Sequence, residues 1–255
     1  MALPLVFAWR MMSAMIQDTR PSSATEDLFV EIADRAFARL PGPTTLALLG
    51  VSHEKWTDFG QSWNRLGPDL YMADGGRYRR RRHAAFACDR GRFSRKPHQP
   101  HYQSRDYNPL NGDVQRWFDP VEQSTVDNRV MRGVMALCAQ VFDPQDRHRW
   151  HVEMHQFRIE AQACAAGRPT PEGMHRDGVD HVFVMLVERR NVREGVTRIG
   201  APDGAPLGEF TLARPGDAMF IDDHRIMHGV TEIRPIDPAL PAWRDALVIT
   251  FAAER

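Results

Sequence analysis

Residues 171–181 read PEGMHRDGVDH. In an extended chain residues i and i+2 project to the same face, so His175 and Asp177 would present an imidazole and a carboxylate side by side, after a proline and a glycine that exclude a regular helix. The later histidines are His181, His224 and His228. In the run IMHGVTEI, strand alternation puts Ile226, His228 and Val230 on one face, in a core-facing row remote in sequence from His175. His228 is therefore the candidate third partner. Its rival, His224, follows Asp222 and Asp223 in a turn-like stretch. Two imidazoles and one carboxylate on one side of an octahedral ion are the ligand set of non-haem Fe(II) sites, which leave three positions open for a cosubstrate and O2.

Arg244, in WRDALVITF, heads the last apolar run. A dicarboxylate such as 2-oxoglutarate, chelating iron through its keto acid end, needs a fixed cation for its distal carboxylate, and a guanidinium offers a rigid two-pronged fit. Other arrangements compete. His151, Glu153 and His155 alternate onto one strand face in WHVEMHQFRI, but an all-local zinc site would be too linear without a fourth ligand from elsewhere. Glu172 and His175 spell ExxH, a di-iron pattern that needs helices which Pro171 and Gly173 disfavour. A plain turn, with Asp177 capping its own backbone, is the non-functional account of the His175 pair.

The elements that would position these groups fall into two zones. Ser23 and Glu26 stand at capping-box spacing, and the apolar residues of 22–40 recur at helical intervals until Pro41 and Gly42. A second amphipathic helix is expected over 119–142, with Asp119 as N-cap and Pro120 at the first helical position. From 150 onward, β-branched and aromatic runs broken by Gly, Pro, Asp and Asn read as strands of an antiparallel sandwich or jelly roll. Residues 85–118, rich in Arg, His, Pro and Asn, carry no clear period, and loops among them could cover a site. The expected organisation is a single domain, 1–255, with a helical and strand support over 16–145 and a jelly-roll catalytic core over 150–252. Cys164 and the methionines at 131, 135 and 185 are expected in the core.

The chain has 255 residues, with Lys+Arg and Asp+Glu both 33 and 26% of residues charged. That balance calls for neither nucleic acid nor an anionic membrane. Three widely spaced cysteines read as reduced thiols of a cytoplasmic protein. The opening run MALPLVFAW is too short to span a bilayer and lacks a basic start, and methionines at 11, 12 and 15 fit a misassigned start codon. RYRRRR, residues 77–82, would as a strand put Arg77, Arg79 and Arg81 on one face and Tyr78, Arg80 and Arg82 on the other. Arg81 from this run and Arg158 in HQFRI are the candidates for holding a substrate carboxylate. A nucleic-acid demethylase would use the same run for phosphate and would bind in a salt-sensitive way.

PEGMHRDGVDHVFVMLVERRNV, DDHRIMHGVTEIRP and WRDALVITF resemble bacterial Fe(II)/2-oxoglutarate dioxygenases typified by L-isoleucine dioxygenase, which hydroxylate free aliphatic amino acids. The likeness is strong over about 152–251 and weaker over 66–118. It implies a mainly β fold, a double-stranded β-helix or cupin-like jelly roll with helices against its outer sheet. It also implies that His175, Asp177 and His228 ligate Fe(II) and that Arg244 anchors the cosubstrate 2-oxoglutarate. The implied reaction takes O2 and a free amino acid or small derivative to a hydroxylated product, succinate and CO2. The retained Asp177 argues against a halogenase, which lacks that carboxylate so that chloride can bind. His181 stands where the family carries an aromatic residue, and Arg193-Glu194-Gly195 replaces a paired glycine. The alternative is a jelly-roll metal-binding protein without oxygenase activity, which has no need of Arg244. A homodimer is compatible with the sequence.

Overall fold

The computed structural model describes residues 23–254, so the apolar run at 1–9 lies outside the described residues. The helical periodicity of the first expected helix is realised only in α1 (Ser23–Arg35). Ala36 then turns left-handed at φ 65°, and Phe37–Leu40 becomes strand β1. The reason is an available partner: β1 pairs antiparallel with β9 (Ala218–Asp222), Phe37 opposite Ile221 and Leu40 opposite Ala218. Edge pairing satisfies backbone groups that one more helical turn would have left to solvent. The chain continues into α2 (Gly42–Leu49), α3 (His53–Gly60) and a 3₁₀ turn, Gln61–Arg65.

The second expected helix also begins later than Asp119. Residues 119–121 stay extended beside β2 (Arg79–Asp89), where the Asp119 carbonyl accepts from His83 N–H and the His83 carbonyl accepts from Val121 N–H. Strand β3 (Arg92–Arg95), the short helix α4 (Gln123–Val126) and the long helix α5 (Arg129–Phe142) precede the C-terminal strands. Asn128 caps α5, its side chain accepting from Val130 N–H; an asparagine in this role satisfies an otherwise orphan donor.

Strands β4 (Arg149–Ala161), β5 (His181–Arg190) and β12 (Ala242–Ala253) form the middle of a seven-stranded sheet ordered β1-β9-β5-β12-β4-β2-β3. Facing it are β10 (Met227–Val230), β7 (Thr197–Gly200) and β8 (Pro206–Phe210), in that order. A third pair joins β11 (Ile233–Pro235) to β6 (Val192–Glu194). Period-two alternation divides the large sheet. Val152, Met154, Phe183, Met185, Leu247, Ile249 and Phe251 pack under α1, α3 and α5. The other face, with Val182, Val184, Leu186, Met219 and Ile221, meets Ile199 and Ile226 from the opposing layer. The molecule is thus a jelly roll with its helices on one outer face. Met131, Met135 and Met185 are buried as expected. Cys164 is exposed, because it sits in the turn after β4 rather than on a strand.

Candidate metal and cosubstrate site

Between the two layers lies a cavity of about 410 Å³, a size suited to a small molecule. His175 and His228 line it and are brought together by the backbone itself. The N–H of each donates to the carbonyl of the other at 2.9 Å, which sets their rings 4.6 Å apart. Asp177 faces both, with Oδ1 3.8 Å from His175 Nε2 and Oδ2 3.5 Å from His228 Nε2. The donor atoms of the three residues lie within 4.8 Å of one another. His175 Nδ1 lies 3.1 Å from the Gly173 carbonyl. A carbonyl only accepts, so that nitrogen carries the hydrogen and Nε2 keeps its lone pair for the cluster. Burial and the adjacent His175 pull the His228 pKa down to about 3. Burial also opposes charging of His175, but Asp177 and Glu172 outweigh it and raise its pKa.

Asp177 is held by two neighbours. Asp223, buried, accepts from the N–H groups of Asp177, Gly178 and Val179 at 3.0, 2.7 and 3.2 Å. Gln103 donates to the Asp177 carbonyl at 2.9 Å and to Oδ1 at 3.3 Å. Gly178 completes the turn at φ 80°, and a Cβ there would stand 2.5 Å from the Tyr107 ring; both conditions demand glycine. His224 is elsewhere, exposed and 2.9 Å from Asp180.

Arg244 lines the same cavity on β12, is 4% exposed, and its Nε has no hydrogen-bond partner among the described residues. Burial, with Arg189 nearby, lowers its pKa to about 10, so it remains charged at neutral pH. A buried cation with an orphan donor fits a carboxylate ligand. On the far side of β4, β2 carries Arg79, Arg81 and His83 buried on its inner face, in register with Ile159, Phe157 and His155 of β4. Arg81 lies over the Phe118 and Phe157 rings, 3.8 and 4.5 Å from their centroids. Arg158 is not among the cavity-lining residues. It sits on the helix-covered face of β4, where Asp245 accepts from its Nε and Nη2 at 2.8 and 2.6 Å. Alternation decides this, since His151, Glu153 and His155 face inward and an even-numbered neighbour faces out. Arg158 therefore does not reach a substrate in the cavity. Several lining groups escaped the sequence reading: His101, Gln103, Tyr107 and Arg116 come from the loop region, where no periodicity marks them.

The two departures noted in the sequence have local solutions. The His181 ring stacks on Phe142 at 4.7 Å with a 4° interplanar angle, so it serves as the aromatic it replaces. Glu194 and Gly195 adopt φ of 64° and 72°, the left-handed conformations a paired glycine would take.

A jelly roll with this donor set and a buried cation beside it is the architecture of a metal-dependent oxygenase. A sequence profile described as 2OG-Fe dioxygenase matches residues 60–250, and the chain belongs to that family, whose cofactor is Fe(II) and whose cosubstrate is 2-oxoglutarate. The chain is 23% identical over 168 residues, 64% of its length and 68% of the relative's, to a 3(1)-hydroxy-L-isoleucine 4-dioxygenase of Pantoea ananatis. It is 21% identical over 161 residues to an L-isoleucine-4-hydroxylase of Bacillus thuringiensis, covering 60% of this chain and 65% of the relative. A crystal structure of a BsmA homologue from Methylobium petroleophilum PM1 superposes with TM-score 0.81 at 33% identity, over 89% of this chain and 92% of that one. Among the described residues no helix is long and apolar enough to cross a membrane.

Proposed function

We propose that this dioxygenase hydroxylates a free amino acid or small amino-acid derivative, with His175, Asp177 and His228 as the iron ligands, Arg244 as the anchor for 2-oxoglutarate and Arg81 as the cation for the substrate carboxylate. The observation that supports the assignment is the backbone bridge between His175 and His228, with Asp177 facing both imidazoles, in the cavity that Arg244 also lines. When bound, iron with 2-oxoglutarate and O2 supplies oxidation of an unactivated C–H bond, one oxygen atom entering the product and the other the succinate released with CO2. Arg244 neutralises the distal carboxylate and orients the cosubstrate from within a wall that excludes water. Val184, Met219 and Val248 line the same space and suit an aliphatic side chain. The names of the isoleucine-acting relatives support this substrate class.

Two measurements test the reading. Succinate formation with Fe(II), 2-oxoglutarate and a panel of amino acids should depend on both additions and disappear in His175→Ala and Asp177→Ala; unchanged turnover in either variant would remove the ligand assignment. Arg244→Ala should raise the KM for 2-oxoglutarate by about two to four orders of magnitude, the equivalent of roughly 3–5 kcal/mol for breaking a buried ion pair.

A further inference from the structure

We infer that Glu153, held in a collar of histidines on β4, β2 and the covering loop, is the acceptor for the substrate's ammonium group, so that the enzyme requires an amino acid whose amine is free. The inference rests on the amino-acid reading above and deepens it.

Glu153 is surrounded by imidazoles. Its Oε2 lies 2.7 Å from His101 Nδ1 and 3.7 Å from His155 Nε2, and its Oε1 lies 3.2 Å from His83 Nε2 and 3.7 Å from His151 Nε2. Only two of these four contacts are within hydrogen-bond reach. A carboxylate offers about four acceptor sites, so the group keeps acceptor capacity, and its side chain, 13% exposed, lines the cavity.

The choice of partners is informative. Two other buried carboxylates are matched with guanidinium, Asp69 with Arg79 at 2.7 Å and Asp245 with Arg158 at 2.6 Å, and two, Asp143 and Asp223, accept backbone N–H groups. No Lys or Arg nitrogen of the described residues lies within ion-pair distance of Glu153. Two of the surrounding imidazoles are held uncharged instead: burial, against the pull of Glu153, takes His101 down to about 4 and His155 well below its ordinary value. Neutral donors keep Glu153 ionised without cancelling its charge, which leaves a fixed anion facing the cavity. Its counterpart is one imidazole away. Arg81 Nη2 donates to His155 Nδ1 at 2.7 Å, and the buried Arg81 and Arg116 each have an Nε without a partner among the described residues. A cation and an anion separated by the width of an imidazole match the two charged ends of an α-amino acid.

His83, His101, Glu153 and His155 also place donor atoms within 4.8 Å of one another, as a zinc site would. The Arg81 contact argues against that occupant. Guanidinium has no lone pair, so His155 Nδ1 accepts and its hydrogen sits on Nε2, directed at Glu153, where a ligand would need a lone pair. Two further carboxylates of the cavity wall have no Lys or Arg partner among the described residues: Asp177, which belongs to the ligand cluster, and Glu172, whose Oε1 is 3.6 Å from His175 Nε2, so that an ammonium there would crowd that cluster.

The test compares L-isoleucine, L-leucine, L-valine and L-methionine with their des-amino and N-acetyl counterparts, measuring binding calorimetrically to the Fe(II) and 2-oxoglutarate loaded enzyme and succinate formation in parallel. The wild type should favour the amino acid over its des-amino counterpart by at least about thirtyfold, the lower end for losing one partner of a buried charge pair. Glu153→Gln should level that preference while the KM for 2-oxoglutarate and the Fe(II) stoichiometry stay as in the wild type. The wild-type comparison needs no variant, so a poorly folding Glu153→Gln does not spare the idea. Des-amino acids bound as tightly as amino acids, or a preference lost in Glu172→Gln but kept in Glu153→Gln, would overturn it. So would a second metal equivalent that disappears in His101→Ala. Amino acids that bind without stimulating succinate formation would sink the hydroxylase reading and leave the ammonium site standing; a panel in which none binds would end both.

Discussion

Asp177 depends on a residue with no direct contact to the cavity's contents. Asp223 accepts the three successive N–H groups of residues 177–179, and a buried carboxylate in that role pre-shapes the turn that aims Asp177. Asp223→Ala should therefore weaken Fe(II) binding by about 10- to 100-fold, the range for groups that orient a ligand, as read by titration of the apoprotein. An unchanged affinity would leave Asp223 a purely local support. The grouping of His175, Asp177 and His228 was legible because its spacing has direct geometric meaning: i to i+2 on an extended segment, then a histidine in the apolar row of a strand. Arg81 and Arg158 were indistinguishable by residue type, yet alternation separates them. On β4 the inward positions are the odd ones that carry His151, Glu153 and His155, and Arg158 falls on the face that meets Asp245. His101 and Arg116 left no such trace. They reach the cavity through a bridge between two loop segments, the His101 N–H and carbonyl pairing with those of Arg116, and tertiary pairing of irregular chain has no sequence period.

At the scale of elements, the sequence misplaced ends and missed one strand: within 85–118, which carry no clear period, residues 85–89 complete β2 and Arg92–Arg95 forms β3 against it. The apolar spacing of 22–40 suits a helix throughout, but it cannot register that β9 offers an open edge to Phe37–Leu40. Asp119 and Pro120 make a good helix start in isolation, and the extended pairing with His83 overrides it. The strands were clearer, because a face buried under helices and a face lining a cavity both enforce the same two-residue repeat. One seam between elements is open to improvement. His181, on β5, stacks on Phe142 of α5, but its Nδ1 is buried without a partner among the described residues, and burial lowers its pKa. The ring contributes as an aromatic surface and costs as a polar group. His181→Phe should keep the stack, remove the unsatisfied nitrogen and stabilise the fold by about 1 kcal/mol, visible as a rise in Tm. A fall in Tm would mean that the imidazole contributes more through Asp180 and Asp222, the carboxylates whose fields favour its charged form.

For the whole molecule, the inward collar links substrate recognition to acid stability. His101 is faced by Glu153 and His155 from β4, by His83 and Arg81 from β2, and by Arg116 from its own loop segment. Burial dominates these influences and takes its pKa from 6.5 to about 4. Between those values the unfolded chain binds a proton at this site and the folded chain does not, so stability rises with pH across the window and is lost as pH falls through it. The full effect is on the order of 3 kcal/mol. Glu153 acts in the same direction. Burial opposes its ionisation, but the histidine donors outweigh it and hold its pKa well below 4.5, so the stability it adds as a carboxylate is lost as pH drops below that value. The protein should accordingly lose stability steadily on acidification from about pH 6.5 to pH 4, in a range where paired carboxylates such as Asp69, itself held low by Arg79 and Arg81 against burial, still keep their charge. Urea unfolding at a series of pH values gives the slope. His101→Asn, which removes the titrating ring and keeps a donor near Glu153, should lessen it between pH 6.5 and 4 by the share of one group, leaving the part that the lowered His155, His181 and His228 contribute and the steeper loss at lower pH. An equal slope in both proteins would show that His101 does not stay neutral in the folded state, and the uncompensated anion that the ammonium site depends on would lose its support.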